Sequence, residues 1–369
     1  MIKFMKVDKK AYIILEDEQV FEGKFFGCEK DIIGEAVFTT GMTGYVETLT
    51  DPSYYGQIII QTFPMIGNYG VMSSDAESRE CNVSAFGYVV REKCDIPSNF
   101  RCETDIDSFL KDKGITGVYD IDTRRLTSLI REKGVMNACI CSDITNIDIN
   151  KVKYYTVVDA VKNTSCSKKC FYKAKNSLFS VALIDYGAKQ NIIRKLNEHG
   201  CDVTVFPFDC KADEIIDGGF VGLMLSNGPG DPKENTYSIE QLKKLTGKLP
   251  IFGICLGHQL LALAFGGDTY KLKYGHRGAN QPATDLITGR TFITSQNHGY
   301  AVDIASIDKS VGEVSFINAN DGTCEGMIYN NYSAFSVQFH PEACGGPHDT
   351  EFLFDRFINL MKKEAADNA

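Results

Sequence analysis

Over the first part of the chain, hydrophobic residues arrive in short runs between glycines. Ala11–Leu15, Glu35–Thr39, Gln57–Gln61 and Phe86–Val90 are each of strand length and contain β-branched or aromatic residues, so they predict strands. Two stretches at helical spacing follow, Ile106–Lys113 and Thr123–Lys133. The second begins at Asp122-Thr123-Arg124-Arg125 and stops at Gly134, the residue type that most readily closes a helix. Residues 1–161 therefore read as a mixed α+β domain, the smaller of two. Across 162–177 both periods vanish. K-N-T-S-C-S-K-K-C-F-Y-K-A-K-N-S holds five lysines and no acid, and reads as an exposed linker.

Beyond it the rhythm changes. Val181–Asp185, Val203–Phe208, Val221–Ser226 and Ile251–Ile254 are largely continuous apolar runs, with amphipathic helices at Lys189–His199 and Ile239–Leu245 between them. Strands apolar on both faces and alternating with helices imply an α/β domain over 178–369, a mostly parallel sheet flanked by helices. In such sheets ligands collect at the carboxyl ends of the strands, so chemistry is to be sought there.

Composition narrows the field. A chain of 369 residues exceeds one ordinary core. With 43% hydrophobic and 24% charged residues it fits a soluble globular protein. A net charge of -9 argues against general affinity for nucleic acid or an anionic membrane. Met1–Lys10 carries four lysines and no apolar core, unlike a secretory signal, and no apolar run is long enough to span a bilayer. A cytoplasmic protein is expected. Thirteen cysteines, an odd number without a C-x-x-C pair, suit free thiols in a reducing compartment, most of them small buried hydrophobes. No Cys/His cluster has zinc spacing, so no metal ligand is predicted.

One cysteine stands apart. Pro250–Ile254 runs into G-I-C-L-G, residues 253–257, and a helical stretch His258–Phe265 follows. The flanking glycines permit a sharp strand-to-helix turn, the nucleophile elbow of G-x-S-x-G hydrolases with a thiol in place of the hydroxyl. Cys255 then sits at a helix N-terminus, where the macrodipole favours its thiolate. The Leu256 N–H can receive a developing oxyanion. A buried structural cysteine is the better reading of an arbitrary position; the elbow and a downstream base reverse it. That base is His340 in S-V-Q-F-H-P-E. Ser333–Phe339 reads as a strand with His340 at its end, and Glu342 points the same way if the chain stays extended. Cys255, His340 and Glu342 would form a nucleophile–base–carboxylate relay. The other histidines read as structural: His258 facing away from the attack site, His199 in a helix C-terminal turn, His276 and His348 in polar loops, and His298 in Q-N-H-G-Y.

With these motifs the C-terminal half resembles the triad-type class I glutamine amidotransferases, and L-S-N-G-P-G-D-P (225–232) and S-Q-N-H-G-Y (295–300) fit that family. T-G-M-T-G-Y-V-E-T-L-T-D-P-S-Y (40–54), F-P-M-I-G-N-Y-G (63–70) and I-D-T-R-R-L-T-S-L-I-R-E-K-G (121–134) are similar to the small-subunit family of carbamoyl-phosphate synthetase. That likeness runs from about residue 10 to Lys362. It implies that glutamine is hydrolysed to glutamate and ammonia through a γ-glutamyl thioester on Cys255, in a cleft between the domains. By the same resemblance Ser53 would hold the amino-acid end of glutamine from the N-terminal domain. Gly228 and Gly230 would line the site with backbone groups, Gly228 joining Leu256 in the oxyanion hole. Gln259, Asn297, Gly299 and Tyr300 would complete the pocket. Without the resemblance, Ser53 is a turn residue after Pro52 and the two glycines are turn formers. Tyr300 stands where the family often has Phe, and Cys344-Gly345 replaces a small polar or proline pair; neither is a relay position.

The ammonia would pass to a large subunit that combines it with bicarbonate and ATP into carbamoyl phosphate, for pyrimidine or arginine synthesis. This chain has no G-x-x-x-x-G-K-[S/T] loop and no G-x-G-x-x-G after a strand. ATP and its metal are therefore expected on the partner, and no cofactor in this chain. Competing readings remain, among them a free-standing glutaminase or cysteine hydrolase, which co-purification with a large ATP-using chain would separate from the leading view. A glutaminase serving another synthase is disfavoured by residues 1–161, and a non-catalytic scaffold or regulator by the intact relay.

Overall fold

A computed structural model describes residues 9–367 of the protein; 1–8, which fall in the lysine-rich start, and 368–369 lie outside the described residues. The chain divides into two compact units at Val158/Asp159.

In the N-terminal unit seven strands close into a barrel. Their order is Lys10–Leu15, Val20–Gly27, Thr116–Tyr119, Gly87–Val89, Gln57–Gln61, Ile32–Thr39 and Met136–Cys141. Closure removes the free sheet edge, and Ile13, Phe25, Ala36, Ile58, Val118 and Ile140 form part of one buried cluster. All four runs expected to be strands lie in this barrel. The helices occupy Ile106–Lys113 and Thr123–Lys133 as expected. Asp105 and Asp122 cap them by accepting from the Ser108 and Arg125 N–H groups. Three further strands have a weaker signature because glycines and small residues dilute their apolar runs. Gly117 is required in one of them, since a Cβ there would lie 2.5 Å from the Phe26 ring.

The C-terminal unit is built on one ten-stranded sheet. Its five central strands, Cys201–Pro207, Phe179–Asp185, Gly222–Leu225, Ile251–Ile254 and Ala334–Val337, run parallel. Helices Gln190–Glu198, Thr236–Leu245, Leu256–Ala264 and Phe352–Asp367 complete this α/β core. Past Ala334–Val337 the sheet continues in antiparallel strands, Cys324–Tyr329, Gly312–Asn318, Thr269–Asp285 and Thr291–Val302. Their polar, bulged sequences hide them from an apolar pattern.

Two expectations are corrected. The stretch 162–177 is not a structureless linker: Ala160–Thr164 is a short helix, and Cys170–Tyr172 is an edge strand antiparallel to Cys201–Pro207. The Cys166 N–H donates to the buried Asp185 carboxylate at 2.7 Å. A strand this short shows no period, and exposed lysines around an edge strand discourage further pairing. His276 is not in a polar loop but is a buried residue of the strand Thr269–Asp285. Its polar neighbours in sequence obtain their backbone partners from Thr291–Val302.

No helix among the described residues is long and apolar enough to cross a membrane. The thirteen cysteines are free thiols, seven of them buried.

Candidate active site

The strand Ile251–Ile254 enters the helix Leu256–Ala264 with only Cys255 between them. Turning within one residue forces Cys255 to φ 54° and ψ -105°. Non-glycine residues avoid such conformations at a cost of about 1–3 kcal/mol. The surrounding backbone holds it there: Cys255 N–H donates to Val337 O at 2.9 Å, and Gly257 N–H to Ser226 O at 3.0 Å. The flanking glycines are sterically required. A Cβ on Gly253 would lie 2.9 Å from the Gly257 backbone, and one on Gly257 would lie 2.5 Å from Leu225 O. Cys255 is 2% exposed, and its Sγ lies 3.8 Å from Asn297 O.

His340 and Glu342 follow the strand Ala334–Val337, both are fully buried, and His340 Nδ1 is 2.7 Å from Glu342 Oε1. Their contact arises differently from the extended chain expected. The strand stops before His340, and a turn through Pro341, with Ala343 N–H donating to His340 O at 3.3 Å, brings the carboxylate to the ring. Against an ionised Glu342, Nδ1 is the protonated nitrogen and Nε2 carries the lone pair a general base needs. Among the described residues Nε2 has no hydrogen-bond partner.

Glu342 is held ionised from two sides. Burial alone would push its carboxyl up, but the His340 ring and the Lys189 ammonium draw it below the ordinary carboxylate value. Lys189 Nζ lies 3.7 Å from Glu342 Oε1, and Asn191 Nδ2 donates to Glu342 O. Sequence reasoning passed over both residues, yet Lys189 carried a signal. It is the N-cap of the helix Gln190–Glu198 and only 7% exposed. A lysine buried at the positive end of a helix contradicts both capping preference and the dipole. Such a local contradiction marks a position with another task.

The remaining assigned residues divide between the units. Gln259, one turn along the helix, donates from Nε2 to Tyr300 O at 2.8 Å and to Gln338 Oε1 at 2.9 Å. Asn297, Gly299 and Tyr300 lie on the strand Thr291–Val302, and the Asn297 carbonyl faces Cys255. Gly228 is a close-approach residue as well as a turn former: a Cβ there would meet Tyr186 O at 2.2 Å and Leu256 Cδ2 at 2.8 Å. Gly230, in the same loop, holds φ 88° with Ala160 against it. Ser53 belongs to the N-terminal unit, buried in the single turn Pro52–Tyr54 behind the Asp51 cap. His258, fully buried behind the elbow, pairs Nδ1 with Ser336 Oγ at 2.8 Å.

His276, His298 and Glu325 form a buried group whose donor atoms lie within 4.8 Å of one another, close enough to consider a metal ion. Their ring nitrogens already face protein partners. Those of His276 meet Asp321 at 2.9 Å and Glu325 at 3.5 Å; those of His298 meet Tyr300 O at 2.8 Å and Gln296 Oε1 at 3.1 Å. An ion would have to displace those contacts.

The C-terminal unit is a class-I glutamine amidotransferase domain: residues 182–360 match the family described as "Glutamine amidotransferase class-I". Residues 13–140, in the barrel unit, match "Carbamoyl-phosphate synthase small chain, CPSase domain". Relatives extend the match across both units. The chain is 50% identical over 351 residues to the carbamoyl phosphate synthase small chain of Clostridium perfringens, covering 95% of this chain and 99% of that one. It is 48% identical to the counterpart from Listeria monocytogenes, with 95% and 97% covered, and 49% identical to that from Fusobacterium nucleatum, with 94% and 96% covered. The chain belongs to the carbamoyl phosphate synthase small chain family.

Proposed function

We propose that this chain hydrolyses glutamine at Cys255 and delivers the ammonia to a carbamoyl phosphate synthase large chain. The observation that carries the reading is a buried His340–Glu342 hydrogen bond in the same unit as a cysteine held at positive φ on a helix N-terminus. His340 Nε2 takes the Cys255 thiol proton, which gives the thiolate and an imidazolium. The thiolate attacks Cδ of the glutamine carboxamide, forming a C–S bond and placing negative charge on the amide oxygen. The Leu256 N–H, with the Gly228 backbone, stabilises that oxyanion. His340 gives its Nε2 proton to the amide nitrogen, the C–N bond breaks, and ammonia leaves behind a γ-glutamyl thioester. Water then attacks the thioester while His340 takes its proton, and glutamate departs as the thiolate is restored. Glu342 keeps Nδ1 protonated and offsets the imidazolium charge; Lys189 and Asn191 hold Glu342 in place. Gln259, Asn297, Gly299, Tyr300 and Gly230 are assigned to substrate binding, together with Ser53 of the N-terminal unit. None of these steps calls on a metal or cofactor in this chain, and the family relationship supports the large chain as the site of ATP use.

The test is carbamoyl phosphate formation by a complex reconstituted with a large chain, from glutamine or from free ammonia. Cys255→Ser is expected to remove the glutamine-dependent rate and keep the ammonia-dependent one. A Cys255→Ser complex that hydrolyses glutamine at the wild-type rate refutes the assignment.

A further inference from the structure

The strand Thr291–Val302 touches three parts of the site at once. Asn297 O lies 3.8 Å from Cys255 Sγ, Ser295 O accepts from the His340 N–H at 2.9 Å, and Tyr300 O accepts from Gln259 Nε2 at 2.8 Å. Its position therefore matters to the reacting groups. Yet its backbone pairing is short there. Register shifts interrupt its ladder with Thr269–Asp285 on both sides, leaving His276↔His298, Arg277↔Asn297 and Gly278↔Gln296 as the paired stretch between them. A ladder of that length, bounded by bulges, does not by itself fix a strand laterally.

Side chains on the strand supply a second hold. His298 joins Tyr300 O through Nδ1 at 2.8 Å and Gln296 Oε1 through Nε2 at 3.1 Å. The His276 ring stands edge-on to His298, with centroids 5.0 Å apart. His276 is in turn gripped by Asp321 Oδ2 at 2.9 Å and Glu325 Oε1 at 3.5 Å, and Asn318 Nδ2 donates to Glu325 at 3.0 Å. Burial alone would lower the His276 pKa, but the two carboxylates raise it, while burial raises that of Glu325 in turn. Burial pushes the His298 ring well down, and the neighbouring His276 charge pushes the same way, so His298 is neutral. A buried ion pair is poorly repaid as a source of stability, since apolar packing of equal volume does as well or better. Its presence behind this strand calls for another role.

We propose that His276, held between Glu325 and Asp321, is a positioning residue that sets the Gln296–Tyr300 segment against Cys255 and thereby fixes the affinity for glutamine. The inference rests on the glutaminase reading above. Loss of the grip moves the segment that borders the substrate but leaves the His340–Glu342 bond untouched. The consequence is weaker binding of substrate and transition state alike, seen in KM rather than kcat.

The experiment measures steady-state glutaminase kinetics of the reconstituted complex for the wild type, Glu325→Gln and Asp321→Asn. Glu325→Gln removes the buried counter-charge with little change of shape. KM for glutamine is expected to rise about tenfold, the factor one charge-assisted hydrogen bond contributes, with kcat within about twofold. Asp321, 44% exposed, tolerates substitution more easily, and Asp321→Asn is expected to raise KM about threefold. A merely structural group would lower the active fraction, hence kcat, with KM unchanged, and that outcome overturns the proposal. If Glu325→Gln does not fold, an unchanged KM in Asp321→Asn overturns it equally. A wild-type complex without glutaminase activity removes the functional reading and this inference with it; an active wild type with unmoved KM in both variants removes the inference alone.

Discussion

Lowering the pH from 7 to 5 is expected to loosen the helix behind Cys255 through His258. The ring is fully buried, and its Nε2 has no hydrogen-bond partner among the described residues. Burial pushes its pKa from 6.5 down to about 3. In the unfolded chain the same ring titrates near about 6.5. Between those values the unfolded state holds a proton that the folded state refuses. Stability is therefore complete above the unfolded value and falls as the pH drops through it, with a limiting slope of about 1.4 kcal/mol per unit. Integrated to pH 5, the loss is about 2 kcal/mol, and it depends almost wholly on the unfolded value while the folded one stays below about 4. That is a large share of a typical domain stability of about 5–15 kcal/mol. The assay is hydrogen exchange of the Leu256–Ala264 amides in wild type and His258→Gln at both pH values, corrected for intrinsic rates. Protection in the wild type is expected to fall about thirtyfold more than in the variant. Equal losses in the two proteins, or a ring that titrates near 6.5 by NMR, would refute the reasoning.

Two further outcomes separate parts of the mechanism. His340→Asn leaves no group to move the proton and is expected to cut glutaminase kcat by about a thousandfold or more, whereas Glu342→Gln is expected to cost about ten- to a hundredfold. The milder effect follows from geometry: one oxygen, Oε1, faces both His340 and Lys189, so an amide can keep an acceptor there and put its NH₂ where Oε2 has no partner among the described residues. Steady-state rates that leave both variants at wild-type activity would make His340 structural. A glutaminase with no acceptor for its ammonia wastes substrate, so the isolated chain is expected to turn over slowly and to accelerate on adding a large chain. Full activity alone, unchanged by a large chain shown to bind, would favour a free-standing glutaminase.

What could be read along the chain was what the backbone makes unusual. Glycines at 253 and 257 are forced by contacts of 2.9 and 2.5 Å, and no other residue type fits there, so the elbow was legible from residue types alone. His340 and Glu342 were legible in the same way, but the turn that joins them was not, because an apolar run before H-P-E gives no sign of where its strand stops. Groups that act across the sheet were invisible. Asn191 reaches Glu342 over 151 positions of sequence, a separation no periodicity can register. The antiparallel strands failed for a related reason: their inward positions hold His276, His298 and Glu325 instead of leucine and valine.

Those same residues show what a sequence can still disclose. A lysine capping a helix N-terminus and a glutamate inside a strand are each unfavourable alone, and each becomes intelligible only through a partner on another strand or turn. Lys189 has Glu342, and Glu325 has His276. The first holds the carboxylate bonded to His340, and the second lies behind the segment whose Asn297 carbonyl meets the Cys255 thiol. Desolvating two ion pairs is a poor route to stability when apolar packing would serve. The first pair is more economically explained by the precision a thiolate–imidazole reaction demands, where a displacement of about 1 Å costs about a hundredfold in rate, and the second by the placement of the segment that borders the substrate.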